Sequence, residues 1–244
     1  MNIPKIIHYC WFGKKTKNEL ITNCIESWKK YCPDYEIIEW NEENFDVDKF
    51  LYTRQAYDLN KYAFVSDVVR FEVLSIYGGI YLDTDVELKG SIDDFLSNEM
   101  FMGYDQRGLI ASGLIFGATK GHYILNDILN YYKNNSFIMK NGRADTTTVV
   151  TIVSNILKKR GFSLDGRNFS NGGIALYSCD YFDPYDYENG EMHITKNTKA
   201  IHYYAASWKN TKDIQIYKIG LKIKKIIGPK LYAEIAKIKH KIIG

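Results

Sequence analysis

Residues 78–88 read GGIYLDTDVEL, and this stretch carries the strongest structural signal in the chain. Two glycines end a helical pattern, an apolar run typical of a buried strand follows, and two aspartates come directly after it. Asp83 and Asp85 are two residues apart, so the spacing predicts that their side chains lie on one face at the strand end. In α/β sheets this is the edge at which ligands bind.

Two carboxylates at such an edge repel each other unless a cation joins them. Their oxygen atoms are ligands that Mg²⁺ and Mn²⁺ prefer, and an ion held in this way commonly completes its coordination with substrate phosphates. The D-x-D pair therefore predicts a divalent metal site, with Mn²⁺ or Mg²⁺ as cofactor and a diphosphate as ligand. A solvated turn rich in aspartate is the alternative interpretation.

The flanking sequence predicts one α/β domain. Residues 3–12 and 35–40 read as strands around a helical pattern that ends near Lys30, an order typical of a parallel sheet. Residues 61–76 have apolar side chains at helical spacing ahead of the strand 80–82. Further strands are predicted at 101–104, 114–118 and 174–177, and further helices at 124–132 and 147–159.

The composition fits a globular protein and excludes several classes. Of 244 residues, 45% are apolar and 25% are charged, which is enough for a sizeable core. The net charge of +3 does not indicate a nucleic-acid partner. Four cysteines without a C-x-x-C pair predict reduced, buried thiols. We expect a cytoplasmic protein, because the sequence shows no leader pattern and no apolar run long enough for a membrane span.

The basic charge is concentrated at the end of the chain. Residues 209–244 contain ten lysines against Asp213 and Glu234, a local charge of +8 that leaves −5 on residues 1–208. Apolar residues recur there at helical spacing with lysines on the other faces, a pattern typical of basic amphipathic helices on anionic membrane surfaces. Packing of these helices on the main domain is the alternative.

Two further groups of polar residues are candidates for a site. Asp67 and Arg70 lie three residues apart on one predicted helix face, and they read either as an ordinary salt bridge or as a clamp for sugar hydroxyls. His202 and Ser207 carry atoms able to complete the coordination of a cation that the aspartates hold, and Trp208 is able to pack over a donor. A hydrogen-bonded core histidine is the alternative for His202.

Five blocks in this order resemble glycosyltransferase family 32, the sugar-transferase family that contains the D-x-D motif. They are IPKIIHYCWFG at 3–13, SW at 27–28, PDY at 33–35, SDVVRFEVLSIYGGIYLDTDVEL at 66–88 and HYYAASWK at 202–209. Bacterial capsule and lipopolysaccharide glycosyltransferases belong to that family, and large clostridial glucosylating toxins are distant members. The resemblance implies a GT-A type fold, a Rossmann-like mixed sheet flanked by helices.

The resemblance also implies roles for residues that bind the donor. Trp11 resembles the aromatic residue that stacks on the nucleotide base, usually uracil. Asp67 and Arg70 are similar to the pair that holds the hydroxyls of the transferred sugar, and Tyr81 and Asp83 match positions near the ribose, phosphate and sugar.

On the metal side, Asp85 matches the principal ligand of the family. His202, Ser207 and Trp208 resemble the block that completes the metal and diphosphate site. The implied reaction is retaining transfer of a hexose or N-acetylhexosamine from a UDP-sugar to a glycan or lipid-linked acceptor. The expected setting is bacterial surface polysaccharide synthesis, with the enzyme in the cytoplasm or peripheral on the inner face of the cell membrane.

The resemblance weakens in the middle of the chain. Residues 111–113 read ASG where many relatives have an asparagine-containing loop. Asp145 opens a predicted helix where polar groups near the anomeric carbon are expected. It either faces that carbon or caps its helix, and capping is the favoured explanation.

Two other functions fit parts of the sequence. YLDTDVEL fits the signature of aspartyl-phosphate phosphohydrolases, in which Asp83 would be the nucleophile and Asp85 the acid and base. That family usually begins its chain with this strand, whereas about 80 residues precede it here. A non-catalytic subunit that binds a nucleotide sugar is the third reading, and the retained acidic pair argues against it.

Overall fold

The computed structural model of this chain describes residues 2–186, 191–205 and Gly228. The strands are β1 (Ile6–Cys10), β2 (Glu36–Trp40), β3 (Gly79–Leu82), β4 (Val86–Leu88), β5 (Met100–Gly103), β6 (Ile115–Ala118), β7 (Phe169–Asn171), β8 (Ile174–Tyr177), β9 (Tyr185–Asp186), β10 (Glu191–Met192) and β11 (Ala200–His202). The helices are α1 (Glu19–Tyr31), α2 (Leu51–Asp58), α3 (Tyr62–Tyr77), α4 (Tyr123–Asn134), α5 (Val149–Lys159) and α6 (Cys179–Phe182).

The central sheet has the strand order β2-β1-β3-β6-β5-β8-β7. Strand β1 is parallel to β2 and β3, whereas β6 is antiparallel to both β3 and β5. Strands β5 and β8 are parallel. The carboxyl ends of β1, β2, β3, β5 and β8 therefore meet the amino end of β6 at one edge of the sheet. This arrangement confirms the predicted Rossmann-like mixed sheet flanked by helices.

Apolar side chains cover both faces of this sheet. On one face, Phe71 of α3 is fully buried and packs on Phe116 of β6, with ring centroids 5.2 Å apart. On the other face, Trp28 of α1 is fully buried and meets Tyr9 of β1 edge to face at 5.4 Å. The sheet is thus held between two apolar layers, which leaves its strand ends as the place for polar chemistry.

The Ser27-Trp28 pair of α1 holds the strand that follows the D-x-D pair. Trp28 Nε1 donates a hydrogen bond to the Val86 carbonyl at 2.7 Å, and the Leu88 N–H donates to Ser27 Oγ at 2.9 Å. Both side chains are buried. Strand β4 has only three residues and pairs with β11 outside the main sheet, so these contacts fix its position beside α1.

The predicted helix stop at the two glycines is confirmed. Gly78 and Gly79 have φ values of 71° and 106°, which side chains rarely adopt. A Cβ at Gly79 would lie 2.7 Å from the Ile6 carbonyl oxygen and 2.9 Å from His8 Nε2. Glycine is therefore required for the chain to pass from the buried helix α3 directly into β3.

Several predicted boundaries are wrong. Strand β1 covers Ile6–Cys10 rather than 3–12, because Pro4 has no N–H for the ladder and Gly13 turns the chain at φ 89°. Helix α5 begins at Val149, two residues later than predicted. Helix α2 was not predicted, nor were the three-residue strands β4, β7 and β11, which are too short to show a period in the sequence.

The cysteines are free in the part of the chain that the structure describes. Cys10, Cys24 and Cys32 are buried as predicted, whereas Cys179 is only partly buried at the start of the short helix α6. The predicted tail 209–244 lies outside the described residues apart from Gly228. Among the helices that are described, none is long and apolar enough to span a membrane.

A buried histidine ties β1 to the glycine turn. His8 is fully buried; its Nε2 donates a hydrogen bond to the Gly78 carbonyl at 2.9 Å, and its Nδ1 accepts one from Trp40 Nε1 at 3.0 Å. The carbonyl only accepts and the indole only donates, so the ring must be neutral with its proton on Nε2. Burial lowers the pKa of His8 from 6.5 to about 4, and the hydrogen bond to Gly78 opposes this.

This environment predicts a loss of stability in acid. Because the folded pKa of His8 is lowered, its contribution is complete above about pH 6.5 and is lost as the pH falls towards 4, a change of about 3 kcal/mol. In urea titrations, the unfolding free energy of a His8→Gln variant should therefore fall by about 3 kcal/mol less than that of the wild type between pH 7 and pH 4. Parallel pH profiles would contradict this assignment.

Candidate active site

The two aspartates of the D-x-D pair follow β3 at the edge where strand ends meet. Asp83 is the first residue after β3, and Asp85 directly precedes β4. Gly113 lies before β6, the antiparallel neighbour of β3, and its carbonyl accepts a hydrogen bond from the Asp83 N–H at 3.3 Å. Trp11 follows β1, the parallel neighbour on the other side. The edge therefore collects residues from distant parts of the sequence.

Asp83 is held from inside the protein. Its Oδ1 lies 3.3 Å from Arg70 Nη2 and accepts a hydrogen bond from the Tyr81 hydroxyl at 3.1 Å. Its Oδ2 lies against Gly113, where a Cβ would be only 2.5 Å away. Glycine at 113 therefore leaves the space that this carboxylate occupies.

Arg70 is the centre of a buried network on α3. Its Nη2 pairs with Asp67 Oδ1 at 2.9 Å, its Nε donates to the Ser66 carbonyl at 3.0 Å, and its Nη1 donates to the Ser112 carbonyl at 3.2 Å. The guanidinium also lies 4.7 Å from the centre of the Tyr81 ring. Asp67 and Arg70 thus form the salt bridge that their spacing allows, and the same pair sits beside the D-x-D strand.

Burial dominates the ionisation of these carboxyl groups. It raises the pKa of Asp67 to about 7, against the opposing effect of Arg70. It also raises the pKa of Asp83, where Arg70 again opposes the shift and the nearby charge of Asp85 adds to it. The pKa of Arg70 lies above its usual value because the negative charges around it outweigh the effect of burial. An added positive charge would stabilise this acidic edge.

Asp85 is held from the opposite side by the segment after β11. Its Oδ1 lies 3.1 Å from His202 Nε2, and its Oδ2 accepts a hydrogen bond from the Ala205 N–H at 2.6 Å. Burial raises the pKa of Asp85, but His202 and Ala205 outweigh it and the pKa falls below its usual value. Burial acts to lower the pKa of His202, but the charge of Asp85 outweighs burial, so the pKa of His202 lies above its usual value.

The three side chains suit a divalent cation. Asp83, Asp85 and His202 each offer one ligand atom, and these atoms lie within 4.8 Å of one another. Carboxylate oxygens are ligands for Mg²⁺, Ca²⁺ and Mn²⁺, and an imidazole nitrogen is a common ligand for transition metals. The chemistry of this donor set therefore fits a divalent metal, as the D-x-D pattern predicts.

Trp11 borders an open cleft at the ends of β1 and β2. The cleft has a volume of about 550 Å³ and is lined by Trp11, Lys14, Lys15, Thr16, Lys17, Glu39, Asn41, Glu42 and Glu43. The Trp11 indole donates to the Lys15 carbonyl at 2.6 Å, and Lys17 Nζ lies 5.4 Å from its ring centre. The hydrogen bond to Lys15 therefore fixes the edge of the indole, and Lys17 lies over its ring.

Asp145 does not cap its helix, contrary to the favoured prediction. Its carboxylate accepts from the Thr147 N–H at 2.9 Å, ahead of the helix, whereas Thr148 is the N-cap residue and accepts from the Thr151 N–H at 3.3 Å. Burial raises the pKa of Tyr52, and the charges of Asp67 and Asp145 add to this shift.

The structure brings most of the predicted residues together. Asp67, Arg70, Tyr81, Asp83, Asp85 and His202 form one connected group, and Trp11 lies at the same edge of the sheet. Ser207 and Trp208 lie outside the described residues.

Sequence reasoning missed three backbone contributions. These are the Ser112 carbonyl, the space at Gly113 and the Ala205 N–H. The ASG tripeptide at 111–113 departs from the loop of many relatives, and that departure was the available signal for two of them.

The fold and this group of side chains define an α/β domain with an acidic site where its strands end. The family model described as the glycosyltransferase sugar-binding region containing the DXD motif matches residues 18–102. This segment holds Asp67, Arg70, Asp83 and Asp85, and the match confirms the resemblance seen in the motifs.

Several relatives are named as sugar transferases. Inositol phosphoceramide mannosyltransferase 3 of Schizosaccharomyces pombe is 34% identical over 137 residues, which are 52% of this chain and 36% of that protein. An uncharacterised glycosyltransferase, L373, of Acanthamoeba polyphaga mimivirus is 26% identical over 195 residues, 75% of this chain and 73% of that protein. The chain spans 36% and 40% of the lengths of the S. pombe mannosyltransferases 3 and 1.

Solved structures with related architecture are also glycosyltransferases. The PaToxG glycosyltransferase aligns with a TM-score of 0.49 at 20% identity, over 65% of this chain and 69% of that chain. The galactosyltransferase LgtC, in complex with donor and acceptor sugar analogues, aligns with a TM-score of 0.45 at 13% identity, over 95% of each chain.

The position of Gly113 predicts a large effect of one methyl group. In a Gly113→Ala variant the new Cβ would displace Asp83 Oδ2, so we expect Mn²⁺ binding to weaken roughly 10- to 100-fold. Loss of the free Mn²⁺ signal in electron paramagnetic resonance measures this affinity. Gly90→Ala is the matched control, because the nearest heavy atom to its Cβ would be 3.8 Å away. Equal affinities of the two variants would contradict the role of Gly113.

Proposed function

We propose that this chain is a metal-dependent retaining glycosyltransferase. It moves a hexose or N-acetylhexosamine from a UDP-sugar to a glycan or lipid-linked acceptor, and residues 1–208 form its transferase domain. The observation that carries the proposal is the group Asp83, Asp85 and His202 at the ligand-binding edge of the sheet. Its acidic pair lies within the segment that matches the sugar-binding family.

Each part of the site has a task in this reaction. A divalent cation supplies positive charge that stabilises the diphosphate as it leaves. Asp85 and His202 hold this cation, and Asp83 contributes a carboxylate whose position Arg70 and Tyr81 fix. Ser207 is a further ligand in this proposal.

The donor itself contacts a second set of residues. Asp67 and Arg70 orient the hydroxyls of the transferred sugar, and Trp11 stacks on the nucleotide base in its open cleft. Tyr81 lies close to the ribose, and Trp208 packs over the donor. Asp145, whose carboxylate accepts from the Thr147 N–H ahead of α5, remains a candidate near the anomeric carbon.

The proposed chemistry is a substitution on one face of the sugar. The bond between the anomeric carbon and the diphosphate oxygen breaks with its electron pair on the diphosphate. The acceptor oxygen forms its bond to that carbon on the same face through an oxocarbenium-like state, and its proton passes to the departing diphosphate. Asp67 and Arg70 keep the ring in place during this exchange.

A mannosyl donor is the second candidate. Three of the S. pombe relatives are named inositol phosphoceramide mannosyltransferases, at 34%, 30% and 39% identity. This observation favours transfer of mannose to a lipid acceptor, for which GDP-mannose is the donor to test. Synthesis of a bacterial surface polysaccharide with a UDP-sugar is the first candidate, and the two differ in nucleotide, sugar and acceptor.

The position of the D-x-D pair argues against a phosphohydrolase. That family usually begins its chain with the strand that carries the nucleophile, whereas about 80 residues precede Asp83 here. The pair also lies within the segment that matches the sugar-binding family. A non-catalytic subunit would not need the clamp that His202 and Ala205 form on Asp85.

A donor screen tests this function. We expect Mn²⁺-dependent release of the nucleoside diphosphate from one of UDP-glucose, UDP-galactose, UDP-N-acetylglucosamine or GDP-mannose. An Asp85→Ala variant should lower the rate about 100- to 1,000-fold, because charge stabilisation of the leaving group is lost. Asp94→Ala is the control, since Asp94 is exposed and pairs with Lys199 away from the site.

The same assay separates the alternatives. Cleavage of a phosphomonoester without nucleotide release would support the phosphohydrolase, and an unchanged rate in Asp85→Ala would contradict the metal assignment. Proton NMR of the product tests retention, and an inverted anomeric linkage would contradict the same-face substitution.

We also propose that residues 209–244 bind an anionic membrane surface, which would bring the enzyme to a lipid-linked acceptor on the inner face of the membrane. Their +8 charge and helical apolar spacing support this. Liposomes that contain phosphatidylserine should sediment the intact chain, and a chain that ends at Trp208 should stay in the supernatant. Equal sedimentation of both forms would contradict the proposal.

A further inference from the structure

Tyr204 has an unusual backbone conformation next to the site. Its φ is 49°, in the left-handed region that bulky side chains rarely adopt. The next residue, Ala205, is the one whose N–H donates to Asp85 Oδ2 at 2.6 Å. The turn at Tyr204 therefore directs a backbone donor at the D-x-D pair, and something must hold the chain in this unfavourable state.

Two contacts of the Tyr204 side chain stabilise this backbone conformation. The Tyr204 ring lies on the His202 ring, with centroids 3.9 Å apart at an angle of 39°. The Tyr204 hydroxyl donates a hydrogen bond to Asp183 Oδ2 at 2.8 Å. The Tyr204 side chain thus connects the His202 ring, which faces Asp85, to the carboxylate of Asp183.

Asp183 is a buried carboxylate with no role in the site described above. It follows α6, its exposed fraction is 1%, and its backbone carbonyl accepts from Gln106 Nε2 at 2.6 Å. Within the described part of the chain, its Oδ1 has no hydrogen-bond partner. A buried carboxylate is costly unless it is hydrogen-bonded, so the bond from the Tyr204 hydroxyl is a contact that this side chain needs.

We infer that Asp183 and Tyr204 are positioning residues that hold His202 and the Ala205 N–H on Asp85, and so prepare Asp85 to bind the cation. The inference rests on the proposed function for the cation itself. The Tyr204 hydroxyl binds Asp183, and the Tyr204 ring packs on His202. The strained backbone at Tyr204 directs the Ala205 N–H at Asp85. Partners of this kind orient metal ligands in many sites.

The test removes one hydroxyl and measures Mn²⁺ binding. Tyr204→Phe keeps the ring on His202 and loses the hydrogen bond to Asp183, so we expect about 10-fold weaker Mn²⁺ binding in the presence of saturating UDP, or of GDP if the donor screen selects GDP-mannose. The control is Tyr203→Phe, which removes the neighbouring hydroxyl from Glu87 on an exposed side chain. Free Mn²⁺ is followed by electron paramagnetic resonance, and circular dichroism checks the fold.

Asp183 provides the second arm of the test. Asp183→Ala should weaken Mn²⁺ binding as much as Tyr204→Phe does, and the double variant should be no worse than either one. Asp183→Asn keeps an acceptor oxygen for Tyr204 and should restore most of the affinity. If Tyr204→Phe does not fold, the comparison of Asp183→Ala with Asp183→Asn decides the question.

The outcomes separate this inference from the proposed function. Wild-type affinity in Tyr204→Phe, or an equal loss in Tyr203→Phe, would overturn the positioning role while the metal site stands. Absence of Mn²⁺ binding in the wild type would overturn the metal site, and the inference with it.

Discussion

Two negative charges placed close together at the end of a buried strand are the constraint on which this structure depends. Asp83 and Asp85 repel each other, and their partial burial reduces the screening that water provides. Two side chains lie against these carboxylates and offset the repulsion. The Arg70 guanidinium contacts Asp83, and the His202 ring contacts Asp85. A cation that joined both carboxylates would stabilise the pair further, which links the electrostatics of the fold to the proposed chemistry.

The sheet topology determines where Arg70 and His202 lie. Arg70 lies on α3, directly before the glycine turn and β3, so one continuous segment carries both the guanidinium and Asp83. His202 comes from the other end of the domain, because β11 pairs antiparallel with β4 and its register sets His202 opposite Val86. Strand β4 is in turn held by Ser27 and Trp28 of α1. The SW pair at 27–28 and strand β11 therefore both hold β4, the short strand that follows the D-x-D pair.

Local patterns identified the elements with a clear period and a clear stop. Apolar spacing and the glycine pair predicted α3 and β3, and the structure confirms both. The same reasoning failed for Asp145, because an Asx turn and an N-cap use the same residue types and only coordinates show that Thr148 receives the Thr151 N–H. It also failed for α2 and the shortest strands, because packing against the rest of the domain, rather than a pattern in their own sequences, makes these segments helical or extended.

The sequence alone determined that two carboxylates follow an apolar strand two residues apart, and that Asp67 and Arg70 share a helix face beside them. Those relations are local, so backbone geometry alone sets them. Only the tertiary structure decided that His202 faces Asp85 across 117 residues of chain, that the Ala205 N–H completes the clamp, and that Gly113 makes room for Asp83. These contacts depend on which strands pair and in which register, and that choice minimises the free energy of the whole sheet rather than of any one segment.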